Sequence, residues 1–446
     1  MFLVLTPYIV LYSLGYRIDI QHFKVVATGG IYVKAIPQGA TIAIDSNLKN
    51  TTGLFSPSAF FQNLLPGIHQ IQITKDGYYD YQKNLPVQQN QVTKLEHVVL
   101  FKKDTVFTAI HNTVTSFYLT PDGKNILTAT KETAGWQLQM IALSNPTPET
   151  SAAQTFLLPS QQTTISSVVW AQDSSRALVH LGSDYYVIQP FSSQPKATKL
   201  VALAQSKEDF FNPKNANEIF FLKNKNLYSN LQSAALIKNV ATYQVNGSTV
   251  TWLGLDGILY TATLGSFAPQ AITTAAFAVN PINTYDILVD PKGIFLKENT
   301  TLFSLNPTSF EFKPLYSPTN TFAASGDGQK ILFYNDHQIL ISYLATQNTD
   351  ISLSPAGTKV HLYQSTDPIV SVQWLNNDYV IFQTNTNVEI CEIDVRGNAN
   401  AITLLPTSSL MLANNQTITN MAFDTQDQKL YLVANNTLYA SEKLLP

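Results

Sequence analysis

Cysteine is almost missing from this chain. Cys391 is the only one in 446 residues, so no intramolecular disulfide can staple the fold. It lies in the alternating run VEICEIDV, where a small buried strand side chain is the reading, not a reactive thiol. Charge is nearly as scarce. Asp, Glu, Lys and Arg make up 13% of the residues, about half the usual share, and sum to −3. No Lys/Arg cluster or basic stripe occurs, which argues against nucleic acid as a partner. The seven histidines (His22, His69, His97, His111, His180, His337 and His361) stand singly, without metal-ligand spacing. Gly-rich phosphate loops, Gly-x-Ser-x-Gly elbows, His-Glu-x-x-His and paired-cysteine zinc motifs are all missing. No catalytic residue, cofactor or metal site is assigned, and the chain reads as a non-enzyme.

Long apolar runs are missing too. The longest uncharged stretch at the start, FLVLTPYIVLYSL from Phe2 to Leu14, falls short of the roughly 20 residues a full span needs. It has no basic region before it and no small-x-small cleavage site after it, which speaks against a cleaved signal peptide. The remainder of the chain reads as β, so a lone apolar helix has nothing to pack on. The expectation is a single-pass membrane anchor or uncleaved signal segment over 1–19, completed by a few residues upstream, with the bulk of the chain outside the cytoplasm.

What is present is strand pattern. Over 28–101, short alternating runs such as Ile31/Val33/Ala35 and Ile42/Ile44 are bounded by Gly, Pro, Asn or Asp, which predicts a small antiparallel β-sandwich. Pro37-Gln-Gly39-Ala40 reads as a turn in which proline fixes one φ and Gly39 supplies a left-handed conformation. Leu65-Pro66-Gly67 and Lys75-Asp-Gly77 read as two more. Gly30, Pro37 to Ala40, Asp45, Pro57, Pro66-Gly67-Ile68-His69 and Gly77-Tyr78 follow one another in an order and spacing that resembles the PEGA domain. Gln38 replaces that family's acidic residue, and the loop from Ser46 to Ser56 is stretched. The resemblance implies a noncatalytic, surface-exposed β module beside a membrane segment, with His69 in a structural role. Asp45 reads as a turn-forming carboxylate.

From Val106 to the end the sequence repeats. Clear copies begin at Val114, Ile165, Asn320, Val370 and Ile418, and weaker ones at Phe210, Thr242 and Tyr285. Each carries a short apolar strand, an Asp- or Asn-bearing turn, a second apolar strand, a polar turn and a last strand. The expected fold is therefore all-β: membrane helix, PEGA-like sandwich, then a β-propeller of about eight blades, with seven the alternative count. Thr120-Pro-Asp-Gly-Lys124 resembles the repeat of TolB-type and WD40-like propellers. Asp122-Gly123 and Asp327-Gly328 read as structural turns, because no copy carries the alternating carboxylates of a calcium loop. Trp170, Trp252 and Trp374 read as inter-blade core after the first strand. The expected function is a membrane-anchored extracytoplasmic scaffold whose propeller docks an envelope protein or glycan, the PEGA-like domain serving as spacer. The alternative is a propeller enzyme acting on cell-surface polysaccharide, with carboxylates drawn from separate blades.

Overall fold

The computed structural model describes residues 2–19, 23–53, 57–144, 155–158, 164–192, 196–203, 207–348, 353–406 and 418–445. The chain divides into two compact units. One holds 1–107, 324–409 and 441–446; the other holds 108–323 and 410–440.

The first unit opens with helix α1 (Phe2–Ser13), then a hairpin of β1 (Tyr16–Asp19) and β2 (Lys24–Ala27). At about 1.5 Å per residue, the helix of 12 residues is about 18 Å long. Among the described residues, no helix is long and apolar enough to cross a membrane.

The sandwich follows, with strands β3 (Gly29–Ile36), β4 (Thr41–Ile44), β5 (Leu48–Thr51), β6 (Ser58–Leu64), β7 (Gly67–Thr74), β8 (Tyr81–Val87) and β9 (Val92–Val99). Three strands make one sheet in the order β6-β3-β9, and four make the other in the order β5-β4-β7-β8. Period-2 alternation drives the packing: Ile31, Val33 and Ala35 from one sheet meet Ile42, Ile44, Ile71 and Ile73 from the other in a sealed core. The expected antiparallel sandwich needs one correction, because β3 and β9 run parallel, Gly30 facing Val92 and Ile36 facing Val99. The Pro37–Ala40 turn carries the chain from one sheet into the other, so the first and last strands of the sandwich arrive side by side in the same direction.

Besides a two-stranded ribbon of Gln347–Asn348 with Leu353–Ser354, the repeats form eight antiparallel sheets of three or four strands among the described residues, one per sequence copy. The first five span 116–158, 165–199, 207–229, 240–271 and 285–316; the sixth and seventh span 321–364 and 369–406. All are four-stranded except the third, which has three strands. The eighth takes three strands from 418–441 and its fourth from β10 (Phe107–Asn112), the first strand of the repeat region.

No single sheet of this size buries both faces, so the cores lie between sheets. One cluster joins Leu127, Leu138 and Phe156 of the first sheet to Val179, Leu181 and Ile188 of the second. Another joins Leu332 and Ile341 of the sixth to Val380, Phe382 and Cys391 of the seventh. The tryptophans sit in such clusters: Trp170 between the first and second sheets, Trp374 between the sixth and seventh, and Trp252 between the third and fourth. Trp170 and Trp374 end the first strand of their sheets, whereas Trp252 lies on the second, Thr249–Gly254.

Candidate functional site

Strand β8 reads YQKNLPV, and its inward-facing positions are Tyr81, Lys83, Leu85 and Val87. A lysine at an apolar parity position has no water to solvate it and requires a partner. Lys83 is fully buried, and its Nζ lies 2.6 Å from Glu392 Oε1 while also donating to the carbonyls of Asp394 (2.5 Å) and Asn398 (2.9 Å). All three donors of the ammonium are thereby used. Glu392 ends the third strand of the seventh repeat sheet (Asn387–Glu392), a strand buried along nearly its whole length. Its carboxylate also accepts from the Tyr81 hydroxyl (2.9 Å) and from the Asn400 backbone and side-chain amides (2.8 Å each). Burial pushes this carboxyl above its ordinary range, against the pull of Lys83 and Asn400. The Tyr81 hydroxyl is raised by the same burial and by Glu392 beside it.

Around this pair the seam between the sandwich and the seventh sheet is dense. Tyr79 donates to the Thr403 carbonyl (2.8 Å), Asn398 to the Gln82 carbonyl (3.0 Å), and the Val99 amide to the Tyr379 hydroxyl oxygen (3.0 Å). Arg396 grips Asp394 through Nε and an Nη and extends to the Lys94 carbonyl (3.0 Å). Gly397, at φ +71°, brings backbone against backbone: a Cβ there would sit 1.9 Å from the Asn84 carbonyl oxygen. Phe101 meets Tyr379 edge-on at 5.4 Å. A cleft of about 70 Å³ remains at the seam, lined in part by His97, Asp378, Asp394 and Arg396, with His97 Nδ1 3.4 Å from Asp378. Burial raises Asp378 above the ordinary carboxylate range, and His97 opposes it.

The residues singled out from sequence sit elsewhere in the sandwich or at the repeat turns. Pro37 follows a cis peptide bond, Gly39 has φ +78°, and the buried Ala40 amide donates to Thr52 Oγ1 (2.9 Å). Asp45 accepts from the Gln70 amide (2.9 Å) and lies 2.6 Å from His69 Nδ1, while His69 Nε2 donates to the Leu65 carbonyl (2.7 Å). The His69 ring thus ties the turn after β4 to the turn that carries Pro66 and Gly67. Gly77, at φ +80°, closes the turn before Tyr78, and Tyr78 with Pro37 lines a second cleft of about 80 Å³.

At the repeats, Asp122 accepts from the Thr120 hydroxyl (2.6 Å) and the Lys124 amide (3.2 Å), and Asp327 accepts from Ser325 (2.5 Å) and the Gln329 amide (2.9 Å). Gly123 and Gly328 both take positive φ, +63° and +61°. These turns also latch neighbouring sheets. The Asp122 amide donates to Ser174 Oγ (3.2 Å) in the next sheet, and the Asp327 amide donates to Asn377 Oδ1 (3.1 Å) in the next. On its other side, Gly123 has Asp424 of the eighth sheet so close that a Cβ would meet Asp424 Oδ2 at 2.8 Å. Sequence reading missed Ser174, Asn377 and Asp424, although each occupies the turn of its own repeat.

Lys83 and Glu392 were missed as well, and a charged residue at inward parity in each strand was the available signal.

Comparison with known proteins bears on both halves of this seam. Residues 28–100 match the PEGA domain family. That stretch is β3 to β9 with the residue beyond, so the lysine of the seam belongs to the PEGA domain and the glutamate to the repeats. No curated protein matches the chain. Among solved structures, the C-terminal WD40 domain of Sif2 superposes with a TM-score of 0.50 at 10% identity, covering 75% of this chain and 97% of that one. Saccharomyces cerevisiae Sqt1 gives 0.49 at 10% identity, covering 77% of this chain and 98% of that one. At such identity the likeness to the Sif2 domain speaks to fold alone, and the fold is that of a WD40-type β-propeller. The PEGA-like domain is fastened to the seventh sheet through the buried Lys83–Glu392 ion pair.

Proposed function

We propose that this chain is an extracytoplasmic scaffold held at a membrane by its N-terminal segment, presenting its propeller as a docking surface for an envelope protein or glycan. One observation carries the membrane half of the reading. Helix α1 has no charged residue and no polar stripe, and its described side chains Ile9, Val10, Leu11 and Tyr12 are exposed, as is Leu14 just beyond it. A helix apolar around its whole circumference belongs in a protein core or in lipid, and Ile9 to Tyr12, which go round nearly a full turn, are all exposed. The scaffold half is supported by the PEGA–propeller pairing and by the way buried charges are used. Glu392 and Asp394 are engaged by Lys83 and Arg396, which makes them fasteners of the fold.

The test is fractionation of the full chain carrying a C-terminal tag. The chain is expected to sediment with membranes, resist carbonate extraction, and be cleaved by protease added outside intact spheroplasts. Recovery in the soluble fraction with α1 intact, or protection from external protease, overturns the reading.

A further inference from the structure

We propose that the hairpin β1–β2 is a foot on the membrane surface, one of its faces lying in the boundary between headgroups and acyl chains beside α1. The proposal rests on the membrane reading above and adds a second point of contact to it.

Cross-strand partners share a face, and the register here pairs Ile18 with Val25, Arg17 with Val26 and Asp19 with Lys24. Tyr16, two residues before Ile18, lies on the same face as Ile18 and Val25. On that face Ile18 is 52% exposed and Val25 53%, with Phe23 beside them at 87%, while Ala27 opposite Tyr16 is buried. On the opposite face Arg17, Asp19 and Val26 are half-buried, while Lys24 is exposed. A hairpin sided for water does the reverse, apolar inward and charged outward. This one instead exposes Ile18 and Val25 while half-burying Arg17 and Asp19, close in sequence to the exposed Leu14 just beyond the end of α1.

The junction between helix and hairpin has the chemistry of a membrane interface. The Arg17 guanidinium lies 3.5 Å over the Tyr12 ring and donates to the carbonyls of Tyr12 (2.9 Å) and Tyr16 (2.8 Å). Tyrosine rings with an arginine folded over them suit the headgroup level, where one end of each side chain is apolar and the other wet. The geometry is also held in place. Gly15, at φ +84°, turns the chain out of the helix, and its carbonyl accepts from both the amide (2.9 Å) and the hydroxyl (2.7 Å) of Thr28. The foot is thereby pinned to the residue that precedes β3. A lipid occupant is favoured over a protein groove because a groove covers one face of a helix, whereas here the consecutive residues Ile9, Val10, Leu11 and Tyr12, which go round nearly a full turn of α1, are all exposed, as are Ile18 and Val25 of the hairpin.

The experiment places single tryptophans in the full chain, Val25→Trp and, as a control on an exposed strand of the sandwich, Lys49→Trp. Each variant is reconstituted into phosphatidylcholine vesicles with or without bromine on the acyl chains near the headgroup, and read above the four native tryptophans. Flotation with the vesicles reports anchoring, and bromine quenching reports contact by the foot. The expected result is flotation of both variants, with the added Val25→Trp emission falling by roughly half or more and the Lys49→Trp emission unchanged. Flotation without quenching of Val25→Trp overturns the foot and leaves the anchor standing. Quenching of both variants alike overturns it too, since the contact would not be specific to the hairpin. Failure to float overturns the anchor and the foot together.

Discussion

Lys83 and Glu392, separated by 309 residues of sequence, meet as a fully buried ion pair with Nζ 2.6 Å from Oε1. Removing one partner strands the other charge without solvent. Lys83→Met is therefore expected to destabilise the chain by about 3–5 kcal/mol. Pairing it with Glu392→Leu should restore most of the loss, since two apolar residues of similar volume often match a buried ion pair. Thermal and urea unfolding of both single variants and the double variant measures the coupling, and simple additivity would contradict the pairing.

Gly397 offers a second handle on the same seam. Its Cβ position is 1.9 Å from the Asn84 carbonyl oxygen, and φ +71° disfavours any side chain. Gly397→Ala is expected to cost about 1–3 kcal/mol, concentrated at the seam. Hydrogen exchange should show faster opening of β8 and of residues 394–400, with the first five repeat sheets unaffected.

The Asp-Gly turns carry a pH dependence of definite sign. Burial works against the charged forms of Asp122 and Asp327, yet hydrogen bonds from Thr120 and Ser325 and from the following amides hold both below the ordinary carboxylate range. A depressed folded pKa contributes stability above the unfolded value near 3.9, and that contribution is lost as pH falls through the folded values. Melting temperature followed downward from about pH 5 should fall more steeply in the parent than in Asp122→Asn or Asp327→Asn.

Asp424 goes the other way. Burial raises its carboxyl, and Asp427 and Asp122 add repulsion, while Oδ2 has no hydrogen-bond partner among the described residues and faces Gly123. A raised folded pKa means that stability is present below the unfolded value and lost as pH rises through the folded one. Asp424→Asn keeps the Oδ1 acceptor for Gln426 and is expected to hold or raise the melting temperature at neutral pH. Gly123→Ala, by contrast, should lower it by about 1–3 kcal/mol of stability.

Cys391 gives the simplest measurement. Burial pushes its thiol up to about 12, and it packs between the sixth and seventh sheets. A thiol reagent at pH 8 should leave the native chain unlabelled and label it stoichiometrically in denaturant; rapid native labelling would place the residue elsewhere.

Much of this was legible in sequence because each repeat announces itself locally. The turn residues 120–124 and the alternating strands around them need only neighbours to form, so copies could be counted and each became one sheet. The order Pro37, Asp45, His69, Gly77 likewise reports turns whose chemistry is local. What alternation cannot report is the partner across a buried face. Lys83 and Glu392 stand as oddities in their strands, and nothing in either run names the other. The parallel pairing of β3 with β9 was hidden for the same reason, since a strand pattern carries no direction. The Ser174, Asn377 and Asp424 contacts arise only when sheets stack, and each of those residues looks like an ordinary turn residue in its own copy.

The eighth repeat sheet sets an order of events during synthesis. Strand β10, at 107–112, is made first but completes a sheet whose other strands begin at Ile418. Between those points lie about 300 residues, which a ribosome adding 5–20 per second takes about 15–60 s to produce. For that interval β10 is a finished strand with an unpaired edge, open to pairing with another nascent chain on the same message. The cell must keep neighbouring copies apart until the last thirty residues emerge, and slow codons late in the message would lengthen the exposure.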